Sequence, residues 1–121
     1  MKRFVLFILA VSFGLTACNK EGNDAEEQLR IDKELIEKYH EGLIATTCCL
    51  GASIPQAILK KGEEDGENEF KWWLNIFQED FYVELQRHGM ADQDKVNEVL
   101  IKLARKYKVK IIASNDSHYV E

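Results

Sequence analysis

From residue 32 onward, apolar positions recur with two periods in turn, one helical and one extended. Lys33 to Tyr39 reads as a short helix with Leu35, Ile36 and Tyr39 along one face, and Gly42 as the glycine that ends it. "LIATT", Leu43 to Thr47, is short, apolar and β-branched, the texture of a strand. Ser53 is placed to cap a helix over Ile54 to Leu59, with Pro55 in its first turn. Glu63 to Phe77 repeats the helical period more strongly. Phe70, Trp73, Leu74 and Phe77 share a stripe there, and Trp72 lies off it. Phe81 to Gln86 alternates with period two, putting Phe81, Val83 and Leu85 on one side and Tyr82, Glu84 and Gln86 on the other. Asp92 or Asp94 opens a further helix whose Val96, Val99, Leu100, Leu103 and Tyr107 form the cleanest amphipathic face in the chain, and Val109 to Ala113 reads as a last strand.

Strand, helices, strand, helix, strand is the βαβ rhythm of a parallel sheet or barrel, so the expected fold class is α/β. In such folds chemistry gathers in loops at the C-terminal ends of the strands. Polar groups stand at those positions here: Cys48 and Cys49, then Gln86, Arg87 and His88, then Asn115 to His118.

Residues 1–18 have a different texture. Lys2 and Arg3 precede an apolar stretch, Phe4 to Phe13, which is short of the roughly 20 residues of a membrane span but fits a signal-peptide core. It ends in Leu15-Thr16-Ala17-Cys18, which resembles a bacterial lipobox. The resemblance implies lipidation of Cys18, cleavage there, and anchoring of the mature protein to a membrane in the periplasm or outer membrane. Residues 19–30 would form a polar tether, and the fold proper would occupy 31–121. The alternative is a cytoplasmic protein with an apolar N-terminal helix.

With 121 residues, 45% of them hydrophobic and 31% charged, there is material for one modest folded domain. A net charge of −5 argues against a domain that clamps phosphates over a broad basic surface. Three cysteines make no disulfide framework, since Cys48 and Cys49 are adjacent and a bridge between them would need a strained turn.

Asp116 and His118 offer a carboxylate and an imidazole at i and i+2, which in extended backbone point the same way and could meet one metal ion. An ordinary hydrogen-bonded loop would look the same. Cys49 is a thiolate ligand or a small core residue. His88 is a ligand or a surface imidazole, and His40 reads as solvated. Trp72 and Trp73 read as core, with stacking on nucleic-acid bases the alternative. A multi-metal phosphoesterase needs ligands from many strand ends, and the donors counted here are too few for one.

The stretches "EKYHEGLIATTCCLGASIPQAIL", "FKWWLNIFQEDFYVELQRHG" and "DQDKVNEVLIKLARKYKVKIIASNDSHYV" resemble the PHP (polymerase and histidinol phosphatase) domain carried by bacterial DNA polymerase III alpha subunits, over residues 31–121. That resemblance implies a distorted β/α barrel with a zinc or manganese cluster at the C-terminal ends of its strands. The associated role is metal-dependent 3′–5′ exonuclease activity or, where ligands have been lost, structure and partner binding. By resemblance Asp116 and His118 fall on the last metal-binding motif, Cys49 on a ligand position, and His88 in a block close to the site. DNA and other replicase subunits are the implied partners, and the cytoplasm the implied compartment, against the leader.

The resemblance also places the family's opening His-x-His, its Asp-His-Gly block and a glutamate ligand upstream of Ile31, where the leader stands, and the polymerase palm downstream of Glu121. The expectation is therefore a partial (β/α) barrel, inactive alone, belonging to a replicative polymerase segment. Such a piece would leave open strand edges and an uncovered apolar face. The alternatives are a membrane-anchored lipoprotein using the βα segment as a binding module, and a working metal-dependent phosphoesterase.

Overall fold

The computed structural model describes residues 32–117. The segment read as a leader with Cys18, the tether 19–30, and His118 lie outside the described residues. Residues 32–39 are helical (α1) and are followed by β1 (Ala45–Thr46), α2 (Ser53–Lys61) and α3 (Glu63–Phe77). A 3₁₀ turn (Gln78–Asp80), β2 (Phe81–Leu85), α4 (Ala91–Tyr107) and β3 (Lys110–Ala113) complete the order.

The strands form one parallel sheet in the order β1-β2-β3. Ala45 pairs with Phe81, and Val83 and Glu84 pair with Ile111 and Ile112. Parallel neighbours cannot be joined by a tight turn, so each connection carries helices, α2 and α3 before β2 and α4 before β3. This is a mixed α/β fold with a small parallel sheet, as the alternating periods imply.

Phe81 and Val83 project from β2 into a core with Ile54 and Ile58 of α2, Phe70 and Phe77 of α3, and Val96, Val99, Leu100 and Leu103 of α4. Phe70 meets Phe81 edge-on with ring centroids 5.1 Å apart, a favoured aromatic geometry. Helices α2 and α3 meet at Gly66, where a Cβ would stand 2.3 Å from Ile58 Cγ1. Only a residue without a side chain permits that approach. Helix α1 lies along α3, where Lys33 pairs with Glu69 at 2.7 Å and sits 4.5 Å from the Trp72 ring centroid.

Some expected details differ. Helix α2 is longer than Ile54 to Leu59, and its N-cap is Ala52 with no side-chain cap. The Ser53 hydroxyl instead accepts a hydrogen bond from Trp73 Nε1 at 3.0 Å. Helix α4 begins at Ala91 behind Met90, with Asp92 and Asp94 inside its first turn, where acidic groups favour the N-terminal end of the helix dipole. Of the α1 stripe, only Ile36 packs against the core, because a single short helix turns its remaining apolar residues Leu35 and Tyr39 outward. His40 is half-buried: its Nδ1 lies 2.8 Å from the Glu37 carbonyl, and its ring meets Phe77 edge-on.

A carboxylate hub at the strand ends

Parallel pairing sets the C-terminal ends of β1, β2 and β3 side by side, and Glu84 of the central strand stands among them. Its side chain is only 8% exposed. Thr46 Oγ1 donates to one carboxylate oxygen at 2.6 Å. Gln86 Nε2, at 3.2 Å, and the Ser114 hydroxyl donate to the other. Residues on or just after all three strands thus converge on one carboxylate. The Thr47 hydroxyl accepts from the Glu84 N–H at 2.9 Å and donates to the Glu84 carbonyl at 3.3 Å, tying the end of β1 to β2.

Burial alone pushes the Glu84 carboxyl up. Hydrogen bonds from Ser114, Thr46 and Gln86 outweigh it and hold the group below its ordinary value of 4.5. A buried anion is tolerated here because hydroxyl and amide donors replace its water. Cys48, Cys49, Glu84, Gln86, Gln93 and Asn97 line an adjacent cavity of about 10 Å³. That is room for one water molecule at most, and not for a substrate.

Cys48 and Cys49 are unbridged and partly buried beside this cavity. Cys48 takes a left-handed turn, φ 57°, and its N–H donates to Thr46 Oγ1 at 3.2 Å. His88 lies on the loop after β2. Its backbone N–H donates to Gln93 Oε1 at 2.7 Å, and its Nδ1 is 2.9 Å from Gln93 Nε2. Its Nε2 is 3.1 Å from the Asn115 carbonyl. Asp116 is exposed and left-handed, φ 52°, on the loop after β3. The fold therefore gathers the loops bearing Cys49, His88 and Asp116 at one end of the sheet. Among the described residues, however, no three His, Cys, Asp or Glu side chains are grouped to hold a metal ion. A zinc or manganese cluster does not fit the described donors alone.

Glu84, Gln93, Thr46 and Ser114 were not singled out from sequence. For Glu84 a signal existed: a carboxylate within a largely apolar strand of a parallel sheet must find donors for both of its oxygens. Gln93 and Ser114 carry no such signal, since their partners come from other elements.

Comparison with known proteins identifies the family of the chain. The PHP domain family profile matches residues 2–88. The DNA polymerase III subunit alpha of Borreliella burgdorferi is 55% identical over 91 residues, covering 75% of this chain and 8% of that protein. The Thermus aquaticus subunit is 46% identical over 94 residues, and that of Aquifex aeolicus 45% over 92. In each case the chain spans 8% of the relative's length. The chain belongs to the PHP domain family. It is a PHP-domain segment homologous to the alpha subunits of bacterial DNA polymerase III.

Proposed function

We propose that this chain serves DNA replication as part of the PHP domain of a DNA polymerase III alpha subunit, with DNA and other replicase subunits as its partners. The observation that carries the reading is the 55% identity over 91 residues to one such subunit. In this reading Cys49, Asp116 and His118 are ligands of a divalent zinc or manganese cluster completed by groups beyond the described residues. The segment has no exonuclease activity by itself, and its contribution is structural and ligand-donating. Incubation of the full chain with a 3′-labelled oligonucleotide and Mn²⁺ is expected to release no nucleotide. Robust release abolished by Asp116→Asn would overturn that expectation and establish a working phosphoesterase. Calorimetry with Mn²⁺ and Zn²⁺ is expected to show weak binding that Asp116→Asn and His118→Ala each remove; binding unchanged in both variants would remove them from the ligand set.

A second reading rests on the basic start, apolar stretch and lipobox-like sequence ending at Cys18. It makes the protein a membrane-anchored lipoprotein that uses the βα segment as a binding module. The family match reaches back to residue 2, within that leader, which places this reading second. A diacylated Cys18 peptide in membrane fractions would support it, and an intact N-terminus in soluble material would sink it.

A further inference from the structure

The hydrogen bonds around His88 define their own donors and acceptors. A backbone N–H only donates, so the Gln93 atom 2.7 Å from the His88 N–H is its carbonyl oxygen. The other end of that amide is then the NH₂ group, which donates to His88 Nδ1 at 2.9 Å. An Nδ1 that accepts leaves the ring proton on Nε2, and the group 3.1 Å away is the Asn115 carbonyl, which only accepts. Every link agrees with the next. Gln93 is itself buried and sits in the first turn of α4, so the anchor at the base of the chain is rigid.

The far end of the chain is the informative one. The Asn115 carbonyl belongs to the peptide unit that joins Asn115 to Asp116. Fixing that oxygen fixes the orientation of the peptide plane through which the chain enters Asp116, whose own φ is 52°. Regular pairing of β3 ends just before, with the Ser114 N–H on the Leu85 carbonyl. Past Ser114 the ladder no longer orders the chain, and His88 reaches across to it from the loop after β2.

We infer that His88 is a positioning residue: held by Gln93 as the Nε2–H tautomer, it staples the loop after β3 at the peptide that leads into Asp116. The staple stands on the hydrogen-bond geometry alone. Its consequence for metal binding rests on the proposed role of Asp116.

The test compares the full chain with His88→Ala, His88→Gln and Gln93→Ala. Nitrogen-15 spectra of the wild-type ring should show Nδ1 unprotonated and Nε2 protonated at neutral pH; the opposite tautomer would overturn the staple. Loss of one such hydrogen bond should speed amide exchange at Ser114, whose N–H is held by the Leu85 carbonyl where the loop begins, by about three- to tenfold, with β2 amides unchanged. His88→Gln places an amide NH₂ near the lost Nε2–H and should restore slow exchange. Equal exchange in wild type and His88→Ala would refute the idea. Should His88→Ala lose protection throughout β2, Gln93→Ala decides instead: it should speed exchange at the same amide, and leaving it as in wild type counts against the staple. Mn²⁺ affinity should fall in His88→Ala and recover in His88→Gln, and equal affinity in all three would overturn the positioning role. A wild-type chain that binds no Mn²⁺ would sink the ligand reading of Asp116, while tautomer and exchange still judge the staple.

Discussion

The helix-covered side of the sheet and the ends of its strands are held together by opposite means. Around Phe70 the contacts are apolar and close, with Phe81 edge-on at 5.1 Å and Ile58 pressed against Gly66. Around Glu84 they are polar and directional, with Thr46, Gln86 and Ser114 all donating to one carboxylate. Apolar packing is insensitive to pH and tolerates apolar residues of similar volume best. The hub depends on charge and on three separate strands keeping register. The first kind of contact makes the domain fold, and the second determines where the loops at the strand ends begin.

Substitutions separate the two regions by size and by pH response. Phe70→Ala removes a fully buried ring from the centre of the helical layer and should cost about 3–5 kcal/mol, equally at pH 7 and pH 4, in urea unfolding. Glu84→Ala leaves three donors facing a void and should cost about 1–3 kcal/mol at pH 7. Because the folded carboxyl lies below 4.5, its contribution is fully present above that value and is lost as pH falls through the folded value. Glu84→Gln should therefore flatten the acid limb of stability against pH, and an unchanged acid limb would show that the hub is not what titrates. Gly66→Ala gains helix propensity but overpacks against Ile58, for a net loss of about 1–2 kcal/mol. A stabilised Gly66→Ala variant would mean that α2 and α3 part easily.

The smallest effect is expected at β3, all of whose residues are exposed. Ile111 and Ile112 are 45% and 37% exposed, so Ile111→Lys should shift stability by less than about 0.5 kcal/mol. Light scattering should nevertheless show less self-association, since a charge on an open apolar strand opposes edge pairing. A large loss of stability would show that β3 is covered in solution.

Much of the fold was legible because it follows from local pattern. The stripe Phe70, Trp73, Leu74, Phe77 and the face Val96 to Tyr107 predict α3 and α4 from period alone. Alternation in Phe81 to Gln86 likewise marks β2, and the βαβ order predicts parallel pairing. Helix starts were read less well. Ser53 and Asp92 are good cap residues by type, yet the caps fall at Ala52 and Met90. Ser53 engages Trp73 from the next helix, a partner no local rule supplies. The outward-facing Leu35 and Tyr39 mark the same limit, for a stripe says which residues share a face but not what covers it.

At the strand ends, sequence located the loops and the family but not the hub. The family resemblance, now supported by a relative 55% identical over 91 residues, rests on side-chain identities in order, which sequence carries completely. By itself it determined the α/β class, the element order, and the loops on which Cys49, His88 and Asp116 sit. Tertiary structure alone decided that Glu84 is a buried anion, that Gln93 orients His88, and that His88 reaches Asn115. Those contacts join residues 2 to 38 positions apart: strand register brings Thr46 and Ser114 to Glu84 and sets the loops of His88 and Asn115 side by side, and the start of α4 sets Gln93 against His88.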